Sequence, residues 1–90
     1  MSWYVYMLEC KGKRIYTGVA KDVQKRYDEH INGKGARFTK SFPPKKILHT
    51  MEADSYGQAL KLEYAIKQLS KPQKQSLMKG KIHLGITKDV

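Results

Sequence analysis

Two short runs crowded with aromatic and β-branched residues open the chain: residues 3–10 (WYVYMLEC) and 14–19 (RIYTGV), with Gly12 between them. This is a β-hairpin pattern, in which successive strand side chains alternate between two faces. Tyr4, Tyr6 and Leu8 then share one face. The turn decides where Tyr16 falls. A three-residue loop, Lys11 to Lys13, pairs Cys10 with Arg14 and puts Tyr16 on the face of Tyr6. A two-residue loop, Gly12-Lys13, puts it on the other face. Glycine at the first loop position slightly favours the shorter turn. A site shared by both tyrosines requires the longer turn or a compensating bulge, and that is the expectation adopted.

The pattern then changes to a helical one. Asp22 is a good N-cap for a helix from about Val23 to Ile31, and Asn32-Gly33 supplies its stop. Residues 33–44 (GKGARFTKSFPP) read as a basic loop closed by Pro43-Pro44. Residues 46–52 (KILHTME) read as a third strand. Asp54 or Ser55 caps a second helix to about Leu69. Ser70, Pro72 and Gln73 form a capping-box signature for a short last helix that ends near Lys79 and Gly80. The order is β-β-α-β-α-α, an α+β domain with a small sheet. Residues 1–80 make the domain and residues 81–90 a C-terminal tail.

Composition adds the nature of the partner. The chain has 90 residues, one domain's worth, and a formal net charge of +10 from 18 Lys and Arg against 8 Asp and Glu. Such a charge attracts polyanions, nucleic acid first and an anionic membrane surface second. Cys10 is the single cysteine, so no internal disulfide forms, which suits a reducing cytosol. No window has the apolar length of a membrane span, and the N-terminus lacks the marks of a signal peptide. A cytoplasmic protein is expected.

Five residues could do chemistry on a phosphodiester. On the second helix Glu63 falls on the inward face, at the edge of the stripe made by Ala59, Leu62, Ile66 and Leu69. A carboxylate there needs a partner. The partner is either a cation, Arg26 or a lysine, or a hard divalent ion such as Mg2+, which takes few protein carboxylates and keeps water and phosphate oxygens. Arg26 and His30 are four apart and share a helical face. Arg26 can grip a phosphate with two parallel bonds, or simply pair with Asp22 or Glu29. His30 can orient a tyrosine or accept a proton, or serve as a half-buried packing residue. Tyr6 and Tyr16 can position a water if a neighbouring base draws off the phenol proton; singly, each is ordinary sheet core. Zinc spacing and a phosphate-binding glycine loop are both missing, and Cys10 reads as a packed strand residue.

In this order these residues resemble the GIY-YIG nuclease superfamily, most closely its small stand-alone bacterial members. The first motif falls on Tyr4-Val5-Tyr6 and the second on Tyr16-Thr17-Gly18. The helical arginine and histidine fall on Arg26 and His30. The loop NGKGARFT and the run ALKLEYAIKQLS, which carries Glu63, are also similar. The likeness covers about residues 3–79. Tyr4 stands where the first motif has glycine, Thr17 where the second has isoleucine, and the chain's one asparagine, Asn32, is not the late asparagine of longer members.

The resemblance implies a three-stranded antiparallel sheet flanked by helices, and cleavage of DNA that depends on Mg2+ or Mn2+. It assigns Tyr6 as general base or water-positioning group, Tyr16 as a hydrogen-bonding assistant, Arg26 as the grip on the scissile phosphate, His30 as support and Glu63 as metal ligand. We therefore expect a DNA endonuclease with a repair or recombination setting. Lys34, Arg37, Lys40, Lys45 and Lys46 are expected to form a basic rim for DNA. The rival readings are a non-catalytic nucleic-acid-binding module and an accessory subunit that works with a DNA-targeting protein partner.

Overall fold

A computed structural model describes residues 2–80; the expected tail at 81–90 lies outside them. The elements run β1 (Trp3–Cys10), β2 (Arg14–Ala20), α1 (Val23–Ile31), α2 (Arg37–Ser41), β3 (Pro44–Ala53), α3 (Tyr56–Lys67) and α4 (Lys71–Met78). The strands form one antiparallel sheet in the order β2-β1-β3, so β1 is central and both β2 and β3 are edges. This is the α+β architecture expected, with one addition, α2.

The hairpin turn takes the longer form. Cys10 pairs with Arg14 and Leu8 with Tyr16, so Tyr16 shares the face of Tyr6 and Leu8. The turn achieves this by placing Gly12 (φ 77°) and also Lys13 (φ 60°) in the left-handed region. Only the first of these is cheap.

The helices divide between the two faces of the sheet. Val5 and Met7 point to the face covered by Ala59, Leu62 and Ile66 of α3 and Leu77 of α4. Tyr6, Leu8 and Cys10 point to the face covered by Val23 and Tyr27 of α1 and Phe38 of α2. The expected caps form. Asp22 accepts from the Lys25 amide and Ser55 from the Gln58 amide, both at 3.1 Å, and Ser70 and Gln73 close a reciprocal box.

Two expectations need correction. Residues 33–44 are not all loop, because Arg37–Ser41 turn into the short helix α2. Five residues are too few to show a period in sequence; the helix is held by what it buries, Thr39 at 1% exposure and Phe38 against Tyr16. β3 also begins earlier than residue 46, at Pro44. Proline is tolerated there because it is the first residue of an edge strand.

Candidate active site

The site is built around a chain of buried hydrogen bonds. The Thr39 hydroxyl donates to the Ala36 carbonyl at 3.0 Å. Its oxygen is then the acceptor in the 2.7 Å contact with His30 Nδ1, so the proton of the neutral imidazole sits on Nδ1. The lone pair on Nε2 faces the Tyr6 hydroxyl at 2.8 Å, and Tyr6 donates to it. Tyr6, His30 and Thr39 are each about 1% exposed. The result is one assigned direction of donation, Tyr6 to His30 to Thr39 to the α2 N-terminus.

Two glycines make room for this chain. A Cβ on Gly18 would lie 2.5 Å from the Tyr6 hydroxyl and 3.1 Å from the Tyr16 ring, so the phenol rests directly on the strand backbone. A Cβ on Gly35 would lie 2.1 Å from His30 Nδ1. Tyr16 completes the cluster: its ring centroid is 6.2 Å from that of Tyr6 and 5.0 Å from that of His30. Tyr16 is half-buried, so it is the outer phenol and Tyr6 the inner one.

Charges reach this cluster from both sides of the sheet. Burial pushes the Tyr6 phenol up to about 12, with Tyr16 and the Glu63 carboxylate adding to the rise and the Arg26 guanidinium opposing it. Arg26 comes from α1 and Glu63 from α3, which cover opposite faces of the sheet. Burial also lowers the His30 pKa, and the positive charge of Arg26 lowers it further. At neutral pH the pair therefore rests as neutral phenol and neutral imidazole.

Both charged residues also have a protein partner. Arg26 Nη1 lies 2.8 Å from Glu29 Oε1, the ordinary pairing expected for it. That bond uses one of five guanidinium donors and leaves the rest for a ligand. Glu63 Oε2 lies 3.2 Å from Lys67 Nζ, one helical turn on. No group of three His, Cys, Asp or Glu side chains that could hold a metal ion exists among the described residues. Glu63, with 21% of its side chain exposed, is thus a lone carboxylate. This donor set fits a hard divalent ion that arrives with phosphate oxygens and water as its other ligands, and not a preformed cage.

Of the five expected site residues, Tyr6, Tyr16 and His30 are in ring-to-ring or hydrogen-bond contact, while Arg26 and Glu63 make their ion pairs with Glu29 and Lys67. The basic residues divide. Lys34, Arg37 and Lys40 are exposed on the segment between His30 and Phe42, beside the cluster. Lys46 instead pairs with Glu9 at 3.7 Å, and Glu9 opens onto the α4 face with Ile15 and Leu48, so Lys46 is turned away from the tyrosines. Lys45 is exposed beside it at the start of β3. Cys10 is fully buried and burial raises its pKa, which leaves an inert packed thiol. Sequence reading missed Thr39 and Gly35. The signal for Gly35 was its place in the GKGARFT loop; Thr39 had none until α2 was seen.

Comparison with known proteins gives the family and the fold. The GIY-YIG catalytic domain model matches residues 2–76. A UPF0213 protein of Cupriavidus necator is 47% identical over 75 residues, which span 83% of this chain and 82% of that protein. A UPF0213 protein of Fusobacterium nucleatum is 46% identical over 78 residues, 87% of this chain and 78% of that one. The solution NMR structure of a UPF0213 protein from Bacillus halodurans superposes with a TM-score of 0.57 at 40% identity, covering 90% of this chain and 86% of that one. A second NMR structure, of a protein from E. faecalis, gives 0.60 at 31% identity, covering 93% and 91%. With both tyrosine motifs, the arginine, the histidine and the glutamate inside the matched span, this chain belongs to the GIY-YIG family.

Proposed function

We propose that this protein is a divalent-metal-dependent endonuclease that hydrolyses phosphodiester bonds in DNA. One observation carries the reading: in a chain of the GIY-YIG family the two motif tyrosines and the helical histidine converge in one cluster, where the Tyr6 hydroxyl meets a buried neutral His30 at 2.8 Å. A packing core does not need that convergence, whereas a phosphate with a metal-activated water does. The net charge of +10 suits a polyanionic substrate.

In this reading Arg26 holds the scissile phosphate with the donors that Glu29 leaves free, and stabilises charge developing at phosphorus. Glu63 holds Mg2+ or Mn2+, which when bound polarises the phosphoryl oxygen and acidifies a water. Tyr6 accepts a hydrogen bond from the attacking water while its own proton points at His30 Nε2. As the water oxygen bonds to phosphorus, its proton passes to Tyr6 and the phenol proton to His30. The leaving oxygen is protonated from solvent. Burial holds Tyr6 high and His30 low, so the handover does not occur at rest and is coupled to attack. Tyr16, half-exposed, steadies the phosphate or the water by hydrogen bonding.

The two ion pairs, Arg26–Glu29 and Glu63–Lys67, favour a second reading, a non-catalytic DNA-binding module in which both charges are structural. The deciding experiment incubates pure protein with linear, branched and single-stranded DNA, with Mg2+, Mn2+ or chelator, beside Glu63→Gln. The endonuclease reading expects metal-dependent cleavage that Glu63→Gln abolishes while binding persists. Glu63→Gln that cleaves like the parent removes the metal assignment. A parent inert on all three DNA forms but binding them in a salt-sensitive way establishes the module.

A further inference from the structure

β2 is an edge strand, and the tyrosine site lies at its Gly18 end. At its other end the hairpin turn and α4 enclose a cleft of about 500 Å³ lined by Gly12, Lys13, Arg14, Phe38, Lys71 and Lys74, with Ile15 at its floor. Four of these side chains are cations, and among the described residues no Asp or Glu lines the cleft. They come from two segments far apart in sequence, so this is not a run of surface lysines. The elements are fixed to one another: Lys71 Nζ donates to the Lys13 carbonyl at 2.6 Å, which ties the start of α4 to the turn. Arg14 is held with its guanidinium 3.9 Å from the centroid of the Phe42 ring.

The cleft is continuous with the site. Phe38 lines it with its ring centroid 5.7 Å from that of Tyr16, and Tyr16 meets His30 edge-on. From Gly18 to Arg14 the strand rises about 13 Å at roughly 3.3 Å per residue. That is the axial length of about four nucleotide steps of B-DNA at about 3.4 Å each.

We propose that the Lys13–Arg14–Lys71–Lys74 cleft is a second phosphate-binding station, which holds the DNA backbone about four nucleotides from the scissile phosphate, with the strand lying along the open edge of β2. This rests on the endonuclease reading for the position of the scissile phosphate; the cation cluster itself does not. The station sets which way DNA lies across the site, and it adds to the affinity for DNA.

The test is the salt dependence of binding to a fluorescein-labelled DNA duplex, followed by anisotropy. Lys74→Gln should lower the log–log slope by about 0.9, and Lys71→Gln/Lys74→Gln by about twice that. Lys61→Gln, an equal loss of charge on the exposed side of α3, should leave the slope unchanged. The Lys74 side chain makes no hydrogen bond or ion pair among the described residues, and circular dichroism checks the double variant, which lacks the tie to Lys13. Slopes for Lys74→Gln and the double variant equal to that of Lys61→Gln overturn the station. Cleavage is scored in parallel. A lowered slope with no cleavage by the parent protein removes the endonuclease reading and keeps the station; intact cleavage with unchanged slopes does the reverse.

Discussion

Thr39 offers the sharpest test of the buried relay. Thr39→Val keeps the shape and removes the hydroxyl. His30 Nδ1–H, now 2.7 Å from a methyl, loses its acceptor inside a site that is 1% exposed. An unsatisfied buried donor costs about 1–3 kcal/mol. In a domain of this size each kcal/mol shifts Tm by about 4–8 °C, so a drop between about 5 and 20 °C is expected. Thr39→Ser keeps the hydroxyl and loses only a methyl, about 1 kcal/mol. Stability alone does not separate a positioning role from a structural one, and the imidazole does. In the parent protein, 15N shifts of His30 should report protonation on Nδ1 and a free Nε2. In Thr39→Val the tautomer preference should weaken and cleavage should fall, while Thr39→Ser restores both. If Thr39→Val melts with Thr39→Ser and retains the Nδ1–H tautomer, the assigned direction of the hydrogen-bond chain is wrong.

Three further outcomes are expected. Gly18→Ala puts a methyl 2.5 Å from a phenol that His30 holds in place, so it should cost about 1–3 kcal/mol in a melt; a misplaced hydroxyl should lower cleavage on the order of 10²-fold. Thr17→Val should stabilise by about 1 kcal/mol in urea titration, because the Thr17 hydroxyl is buried with no hydrogen-bond partner among the described residues; destabilisation would mean that it is bonded. His30 has a lowered pKa in the fold, so on acidification below its unfolded value of about 6.5 the unfolded chain binds the extra proton first. Its contribution is complete above that pH and is lost as pH falls, by at most about 1.4 kcal/mol per pH unit. Denaturation midpoints between about pH 5 and pH 8 should show this slope and should lose it in His30→Gln.

The hairpin shows what was legible in the sequence and what was not. Strand identity and the capping residues Asp22, Ser55 and Ser70 are local chemistry, and they appear as read. The turn was ambiguous because its resolution requires a lysine, Lys13, at positive φ, a conformation that no local rule favours. Periodicity alone could put Tyr6 with Tyr4 and Leu8 on one sheet face and Arg26 with His30 on one helix face, but not Tyr16 beside Tyr6. The hydrogen bonds around His30 depend on α2, whose five residues owe their helix to Thr39 and Phe38 meeting groups far away in sequence. Lys46 shows the opposite failure: it looked like one more loop cation, but strand alternation and Glu9 turn it to the other face.

The sheet order carries a liability as well as a site. From Ile15 to Ala20 the edge strand β2 contains no charged residue, is rich in aromatic and β-branched side chains, and among the described residues has one backbone edge without a strand partner. Such a segment is a template for pairing with another copy of itself. Cations flank it, Lys13 and Arg14 at one end and Lys21 at the other, in positions where natural sequences put gatekeepers against aggregation. Those cations then keep the strand single by mutual repulsion between copies, and a polyanion laid along the edge would neutralise the repulsion and shield the strand in the same act. Variants that strip this charge should therefore be harder to keep in solution without DNA than with it.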